Sequence, residues 1–351
     1  MSSEGKQIVL FGAYYTNKGA SLLIETVKSF HPKDRLAIPI GFSMDTYKKN
    51  RTNEIESIFF LRIGPYNMFD LFHFFPKKML ARLGIGRLRD FEFMYDISGF
   101  AYGAHWSVNV VKYANAIFRY SPKKLVVMPQ AFGRFGHNRE IYKSYFDSAM
   151  HIYARDSVSL KNITELNLNV SPKLSPDITF ALKVERSELK YDLLVIPNYK
   201  LIERSIYSVE EWCFQLNNII KNNPEIKSAY FLIHEGPKDE MLALEYNQRF
   251  SHSLEILKGY SGIECKEIIA QAKVVLSARY HGVISALSTG AITYSYSWSH
   301  KYVEIMKEFD LEQNLISPAQ SDLKIDFNIK PSEQTRILYS SLINNELLWY
   351  R

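Results

Sequence analysis

Cysteine is scarce in this chain. Of 351 residues only two are cysteine, Cys213 and Cys265, far apart and outside any CxxC or His/Cys cluster. That argues against a disulfide framework and a structural zinc site, and it points to a reducing compartment, the cytosol. Long apolar runs are missing as well. The greasiest region, 58–75, is interrupted by Arg62, Asp70 and His73, so no helix is expected to span a membrane. The first residues, MSSEGKQIVLFGAYY, read as a short strand entering a turn and not as a signal peptide. Neither GxGxxG nor GxxxxGK[ST] is present, which leaves dinucleotide and P-loop chemistry without support. The absence of a GxSxG elbow argues against an α/β-hydrolase. Charge of one sign does not dominate. Lys and Arg number 43 against 37 Asp and Glu, a net +6 with no long basic block. Nucleic acid is therefore a poor partner, whereas anionic small molecules, phosphates or an anionic membrane surface suit a mildly basic chain.

What is present is an ordinary globular composition, 46% hydrophobic and 23% charged, long enough for about two domains. Aromatics are plentiful, 23 Tyr and 22 Phe with 4 Trp, implying many half-buried, hydrogen-bonding rings. Short apolar runs alternate with helical patterns. QIVLF (7–11), RLAI (35–38), MYDI (94–97), KLVVM (124–128) and HIYA (151–154) read as strands, with Pro39 and Pro129 as stops. A second series follows: DLLVI (192–196), AYFLI (229–233), KVVLS (273–277) and AITYS (291–295), with helices over 209–222, 264–271 and 282–287. The βαβα rhythm, repeated twice, predicts parallel sheets covered by helices. The expected organisation is a Rossmann-like domain over 1–185, a second over 186–330, and a C-terminal helix within 331–351 packing back towards the first.

In such sheets ligands sit outside the carboxyl ends of the strands. The residues there are Asn17, Asp96, Gln130, Arg155 with Asp156, Asn198, His234 with Glu235, Arg279 with His281, and His300 with Lys301. The strongest local element is Ser277-Ala278-Arg279-Tyr280-His281-Gly282, where a strand gives way to a helix at a glycine. A helix N-terminus there offers an anion site, Arg279 a planar fork and His281 an acid/base group; a surface ion pair and a satisfied core histidine are the plainer alternatives. Asp156 or Ser157 suits a helix N-cap, and Asp96 an Asx-turn as readily as a catalytic role. The segment 75–89, FPKKMLARLGIGRLR, mixes Lys77, Lys78, Arg82, Arg87 and Arg89 with large apolar residues. It reads as a solvated helix and loop, or as an element facing anionic lipid.

Taken in order, several pieces resemble the polysaccharide pyruvyl transferase family. They are Asn17-Lys18-Gly19, Asp96-Ile97-Ser98-Gly99, Pro129-Gln130-Ala131-Phe132-Gly133, Ala154-Arg155-Asp156-Ser157, Ser175-Pro176-Asp177, His234 with Asp239, Arg279-Tyr280-His281-Gly282, and Lys301. Two departures mark a divergent branch: Ala20 stands where an acidic residue is common, and Phe100 where a second glycine is common. The resemblance implies a GT-B-like α/β fold with two Rossmann-like domains and an interdomain cleft, the acceptor on the N-terminal side and the donor on the C-terminal side. It implies transfer of the enolpyruvyl unit of phosphoenolpyruvate to a sugar, a hexose such as galactose in a polysaccharide repeat carried on a lipid such as undecaprenyl diphosphate. The product is a pyruvate ketal in capsule or exopolysaccharide. No cofactor or metal is implied beyond the donor itself. The implied setting is cytoplasmic, peripheral to the inner membrane face. The implied donor cations are Arg155, Arg279 and Lys301, with His281 also in contact. His281 is the implied acid for the enol carbon and Asp96 the base for the sugar hydroxyl. Asn17, Gln130 and His234 fall on the acceptor. A GT-B nucleotide-sugar glycosyltransferase and a non-catalytic scaffold in polysaccharide assembly are the competing readings.

Overall fold

Buried runs of Ile, Leu, Val and Phe, each closed by a polar or glycine-containing turn, set the architecture. The computed structural model describes residues 5–347 except 64–66, 105, 121, 187 and 321. Two units emerge, one from the described residues of Met1–Ile178 and Ile343–Arg351, the other from Thr179–Leu342. The first unit runs β1 (Gln7–Phe11), α1 (Lys18–Phe30), β2 (Arg35–Ile40), α2 (Met44–Thr52), β3 (Glu56–Ile63), β4 (Asn67–Asp70) and α3 (Lys77–Arg82). It continues with β5 (Phe93–Asp96), α4 (Asn109–Tyr120), β6 (Lys124–Gln130), α5 (Arg139–Phe146), β7 (Ala149–Ala154), α6 (Ser157–Thr164) and β8 (Lys173–Leu174). The second unit contains β9 (Tyr191–Ile196), α7 (Lys200–Glu203), α8 (Val209–Asn222), β10 (Ala229–Leu232), α9 (Gly236–Arg249) and β11 (Glu255–Leu257). After these come α10 (Gly262–Ala270), β12 (Ala272–Ser277), α11 (Tyr280–Thr289), β13 (Ile292–Tyr296), α12 (His300–Glu308) and β14 (Leu315–Ile316), and then α13 (Glu333–Leu347), whose residues from Ile343 on belong to the first unit.

The first sheet has the order β4-β3-β2-β1-β5-β6-β7-β8, parallel except for the β3–β4 pair. The second has the order β11-β10-β9-β12-β13-β14 and is parallel throughout. In each sheet the strand order reverses once, between β1 and β5 and between β9 and β12. Such reversals open a crevice at the strand carboxyl ends, where open α/β sheets take ligands. Register aligns those ends: Phe11 faces Asp96 and Gln130 faces Ala154 in the first sheet, and Ser277 faces both Ile196 and Ser295 in the second.

Helices cover the second sheet on two faces, as a parallel sheet requires. Leu193, Val195, Phe231, Val274 and Leu276 pack with Trp212, Leu216 and Ile219 of α8. Leu194, Ile196, Leu232 and Val275 pack with Cys265 and Ile269 of α10. Ser208–Glu211 and Ser261–Glu264 form capping boxes on α8 and α10, each satisfying two end donors. The unit boundary at Thr179 has a packing reason. The Phe180 ring stacks on Phe309, with centroids 5.5 Å apart, and buried Lys266 donates from Nζ to the Thr179 carbonyl at 2.6 Å. Tyr339 of α13 joins Phe180 and Phe309, and its hydroxyl donates to Glu308.

Two expected stops fail. β2 continues through Pro39 and β6 through Pro129. The β1–β2 ladder has already ended at Ala37, so Pro39 costs no bond on that side, and β6 shifts register against β7 between Val127 and Gln130. The region 58–75 contains the antiparallel pair β3–β4. In the core of the first unit Phe146 packs edge-on against Tyr102 and Phe132, with centroids 5.3 and 5.6 Å away. Phe146→Ala should lower the stability read by urea unfolding by about 3–5 kcal/mol, the range for emptying a buried ring position.

Candidate active site

At the reversal point of the second sheet, β12 ends at Ser277 and α11 begins at Tyr280. Ser277 Oγ accepts from the Arg279 amide at 3.1 Å and donates to the Arg279 carbonyl at 2.9 Å, closing the turn. Glycine is required at position 282. A Cβ there would lie 2.5 Å from Ser277 Oγ and 3.0 Å from Ile196 Cδ1. The Ala278 carbonyl accepts from Asn198 Nδ2 at 2.9 Å, Tyr302 OH at 2.9 Å and Trp298 Nε1 at 3.3 Å. β9, β13 and α12 thus all anchor this one peptide. Arg279 is the N-cap of α11, and its side chain makes no capping hydrogen bond.

Arg279 does not present an open fork. Its Nε donates to Asp239 Oδ2 at 2.8 Å, Nη2 contacts the same oxygen at 2.5 Å, and Nη1 donates to Glu235. Asp239 lies buried on α9, and its other oxygen accepts from the Tyr199 amide at 3.0 Å. Burial outweighs the Arg279 attraction and pushes the Asp239 carboxyl up to about 6. The guanidinium expected to meet a substrate anion is thus held by two carboxylates in this structure. The planar fork that suits a phosphate suits two carboxylates equally, and here they hold it.

His281 sits in the first turn of α11, half-exposed, with its ring edge-on to Tyr280 at 5.7 Å. Lys301, in the first turn of α12, places Nζ 4.7 Å from the Trp298 ring centroid, 5.1 Å from Tyr280 and 5.5 Å from Tyr302. Three aromatic faces thus steer this cation to the start of α11. His234 is buried between β10 and Glu235. The structure brings together Arg279, His281 and Lys301 with Glu235 and Asp239, all in the second unit. Trp298, Tyr302 and the Asp239–Arg279 pairing escaped the sequence reading, although Trp298 lies one helical turn before Lys301.

The remaining expected residues lie along the carboxyl edge of the first sheet. Asn17 caps α1, accepting from the Ala20 amide at 2.8 Å, so its oxygen already serves the helix. Asp96 is fully buried. Its Oδ1 accepts from Ser98 N at 3.1 Å and Ser98 Oγ at 2.5 Å, and its Oδ2 from Tyr102 OH at 2.5 Å and Tyr145 OH at 2.8 Å. Burial raises its carboxyl, and these donors oppose that shift. A general base must reach a substrate proton, and this carboxylate has both oxygens occupied inside the core. In this structure Asp96, the expected base, anchors the loop that follows β5. Nor is Arg155 an open cation. It is buried, with Nη1 3.4 Å from the buried Asp177 carboxylate. Asp156 caps α6 through the Ser159 amide at 2.7 Å. Gln130 differs from these three. It is fully buried at the end of β6, and among the described residues neither of its amide atoms is hydrogen-bonded. A buried amide in that state is stable only with water or a ligand group beside it.

Among the described residues no three His, Cys, Asp or Glu side chains are grouped to hold a metal ion. A cavity of about 540 Å³ lined by Lys227, Tyr230 and Ser253 lies at the amino ends of β10 and β11, away from the strand ends that carry these groups.

Two measurements check this site. Arg155→Met should cost about 3–5 kcal/mol of stability, because Asp177 would remain buried without its cation; unchanged urea unfolding would mean that Arg155 is free for a ligand. The Asp239 carboxyl is raised in the folded state, so the folded form binds the extra proton. Its stabilising contribution is complete below about pH 4 and is lost as pH rises to about 6. Asp239→Asn should remove that part of the pH dependence of urea unfolding. An identical slope in both forms would refute the assignment.

Comparison with known proteins places these observations. The family model described as polysaccharide pyruvyl transferase matches residues 17–300. No curated protein matches the chain. Among solved structures, the UDP-GlcNAc 2-epimerase of Methanocaldococcus jannaschii aligns at a TM-score of 0.58 with 11% identity, covering 98% of this chain and 99% of that one. Anabaena Alr3699/HepE in complex with UDP aligns at 0.54 with 10% identity, covering 97% and 91%. The S. aureus MnaA–UDP structure aligns at 0.53 with 12% identity, covering 99% and 90%. At such identities the likeness concerns the fold, which is GT-B-like α/β with two Rossmann-like units. The matched span takes in every expected strand-end residue except Lys301, and the chain belongs to the polysaccharide pyruvyl transferase family.

Proposed function

We propose that this chain transfers the enolpyruvyl unit of phosphoenolpyruvate to two hydroxyls of a sugar in a polysaccharide repeat, forming a pyruvate ketal and releasing phosphate. One observation carries the reading. In a chain of this family, the α11 N-terminus lacks a side-chain cap at the reversal point of a parallel sheet, with His281 in its first turn and Lys301 steered towards it. A donor with a carboxylate and a phosphate suits a helix N-terminus flanked by cations. Arg279 joins them when the donor displaces Glu235, the more exposed of its two carboxylate partners.

The chemistry balances without an added reactant. His281 in its imidazolium form protonates the methylene carbon of the enol, which becomes the methyl group. Positive charge then develops on the adjacent carbon, where the first sugar oxygen bonds and gives its proton back to His281. The C–O bond to phosphate breaks, the second sugar oxygen bonds to the same carbon, and its proton leaves with phosphate. The departing phosphate is a competent acceptor, so the occupied Asp96 is not needed as a base. The unpaired Gln130 amide, able both to donate and to accept, suits a sugar hydroxyl. Galactose on a lipid carrier is the acceptor we favour.

The test is incubation with phosphoenolpyruvate and a panel of synthetic and lipid-linked glycosides, following phosphate release and product mass. His281→Ala should lower turnover by roughly 10²–10⁴-fold, the usual contribution of a positioned acid. Glu235→Gln should tighten phosphoenolpyruvate binding in calorimetry, since Nη1 of Arg279 loses a charged competitor. Heat on binding a nucleoside diphosphate, with none for phosphoenolpyruvate, would instead establish the nucleotide-sugar reading, which UDP in the structures of similar fold favours.

A further inference from the structure

One edge of the first unit exposes large apolar side chains among cations. Phe74 is 79% exposed and Phe42 67%, and Met44, Phe75, Met79 and Leu83 are exposed as well. Single exposed apolar residues are normal on a protein surface; a cluster of six on neighbouring elements is not. The elements are linked. Tyr47 of α2 donates from its hydroxyl to the Leu83 carbonyl at 2.6 Å, just past α3. Phe72 anchors the intervening loop from within, its ring 5.5 Å from Phe59 and 5.6 Å from Phe75. Arg87 Nη1 donates to the Phe75 carbonyl at 3.0 Å. The loop is therefore held at its base while Phe74 points into solvent.

Positive charge predominates on this edge. Lys48, Lys49 and Arg51 lie on α2, and Lys77, Lys78 and Arg82 on α3. The one acid in the two helices, Asp45, is paired with Lys49 at 3.3 Å. Arg87, which the sequence reading grouped with these cations, is neutralised by Asp90 at 2.8 Å. Six cations against one acid leave the two short helices a net +5, in a chain whose net charge is +6.

We propose that this edge, built from α2, the loop at 72–76 and α3, docks on the surface of an anionic lipid bilayer. The charge asks for an anionic partner. The rings and the methionines ask for one that also takes apolar side chains to a shallow depth. A bilayer interface supplies both: Phe and Met side chains enter the headgroup boundary while Lys and Arg keep their amines at the phosphates. Among the described residues no helix is long and apolar enough to cross a membrane, so the contact is with one face. The proposal is independent of the transfer chemistry.

The test is flotation of the full chain with phosphatidylcholine vesicles, with and without phosphatidylglycerol. Binding is expected only with the anionic lipid, weakening as salt is raised. Lys77→Ser/Lys78→Ser/Arg82→Ser should lower the partition coefficient roughly a hundredfold, at several-fold per cation. Phe74→Ser/Phe75→Ser should abolish the part that survives high salt. All of these side chains are exposed, so both variants should melt as the parent does. Equal flotation of all three forms, or binding to neither vesicle, would overturn the proposal. So would a concentration-dependent dimer that disappears in Phe74→Ser/Phe75→Ser, because the occupant would then be a second copy.

Discussion

The guanidinium of Arg279 and the two carboxylates around it organise the second unit's site. An arginine cannot shed its charge, so a half-buried one must be paired. Asp239, buried on α9, holds Nε and Nη2; Glu235, at the helix start, holds Nη1. Because Arg279 also caps α11, this pairing ties the end of β12 to α9. Asn198, Trp298 and Tyr302 converge on the neighbouring Ala278 carbonyl and complete the fixation. The α11 N-terminus, His281 and Lys301 inherit their positions from that frame. The arrangement also sets the local charge. With both carboxylates ionised, Arg279 is more than neutralised.

The first unit solves a related problem differently. Its strand ends carry polar residues that turn inwards. Asp96 takes four hydrogen bonds from Ser98, Tyr102 and Tyr145, and Arg155 pairs with Asp177 inside the core. Removing one partner from either cluster would strand a buried donor or charge, which makes such groups effective at fixing loops. Gln130 differs, buried with an amide that no described residue hydrogen-bonds. Several tyrosines serve the same need. Tyr102, Tyr145, Tyr302 and Tyr339 each fill core volume with a ring and deliver a hydroxyl to a buried or half-buried acceptor.

Fold and chemistry separate in this architecture. Structures of similar architecture include two UDP-GlcNAc 2-epimerases, at 11% and 10% identity. A GT-B-like frame supplies strand ends and helix N-termini to any anionic ligand, and the side chains at those ends choose the reaction. In this chain the ends at the reversal of the second sheet carry Lys301 among aromatic rings, His281 in the first turn of α11 and Arg279 shared with two acids.

The sequence by itself determined the parallel sheets and most element positions. Strands such as Tyr191–Ile196 and Ala272–Ser277 are short apolar runs closed by polar or glycine-bearing turns, and α8 follows its 3.6-residue period over Val209–Asn222. Those are local signals, carried by residues near one another in the chain. It also determined the order of strand-end residues that marks the family. Tertiary structure alone decided which of those residues remain open. Asp96 and Arg155 look like accessible strand-end groups until Tyr145 and Asp177 are folded onto them, and Arg279 looks like an anion fork until Asp239 arrives from 40 residues upstream. Whether a charged side chain meets water, a substrate or another side chain depends on groups distant in sequence, because desolvation and pairing act through space.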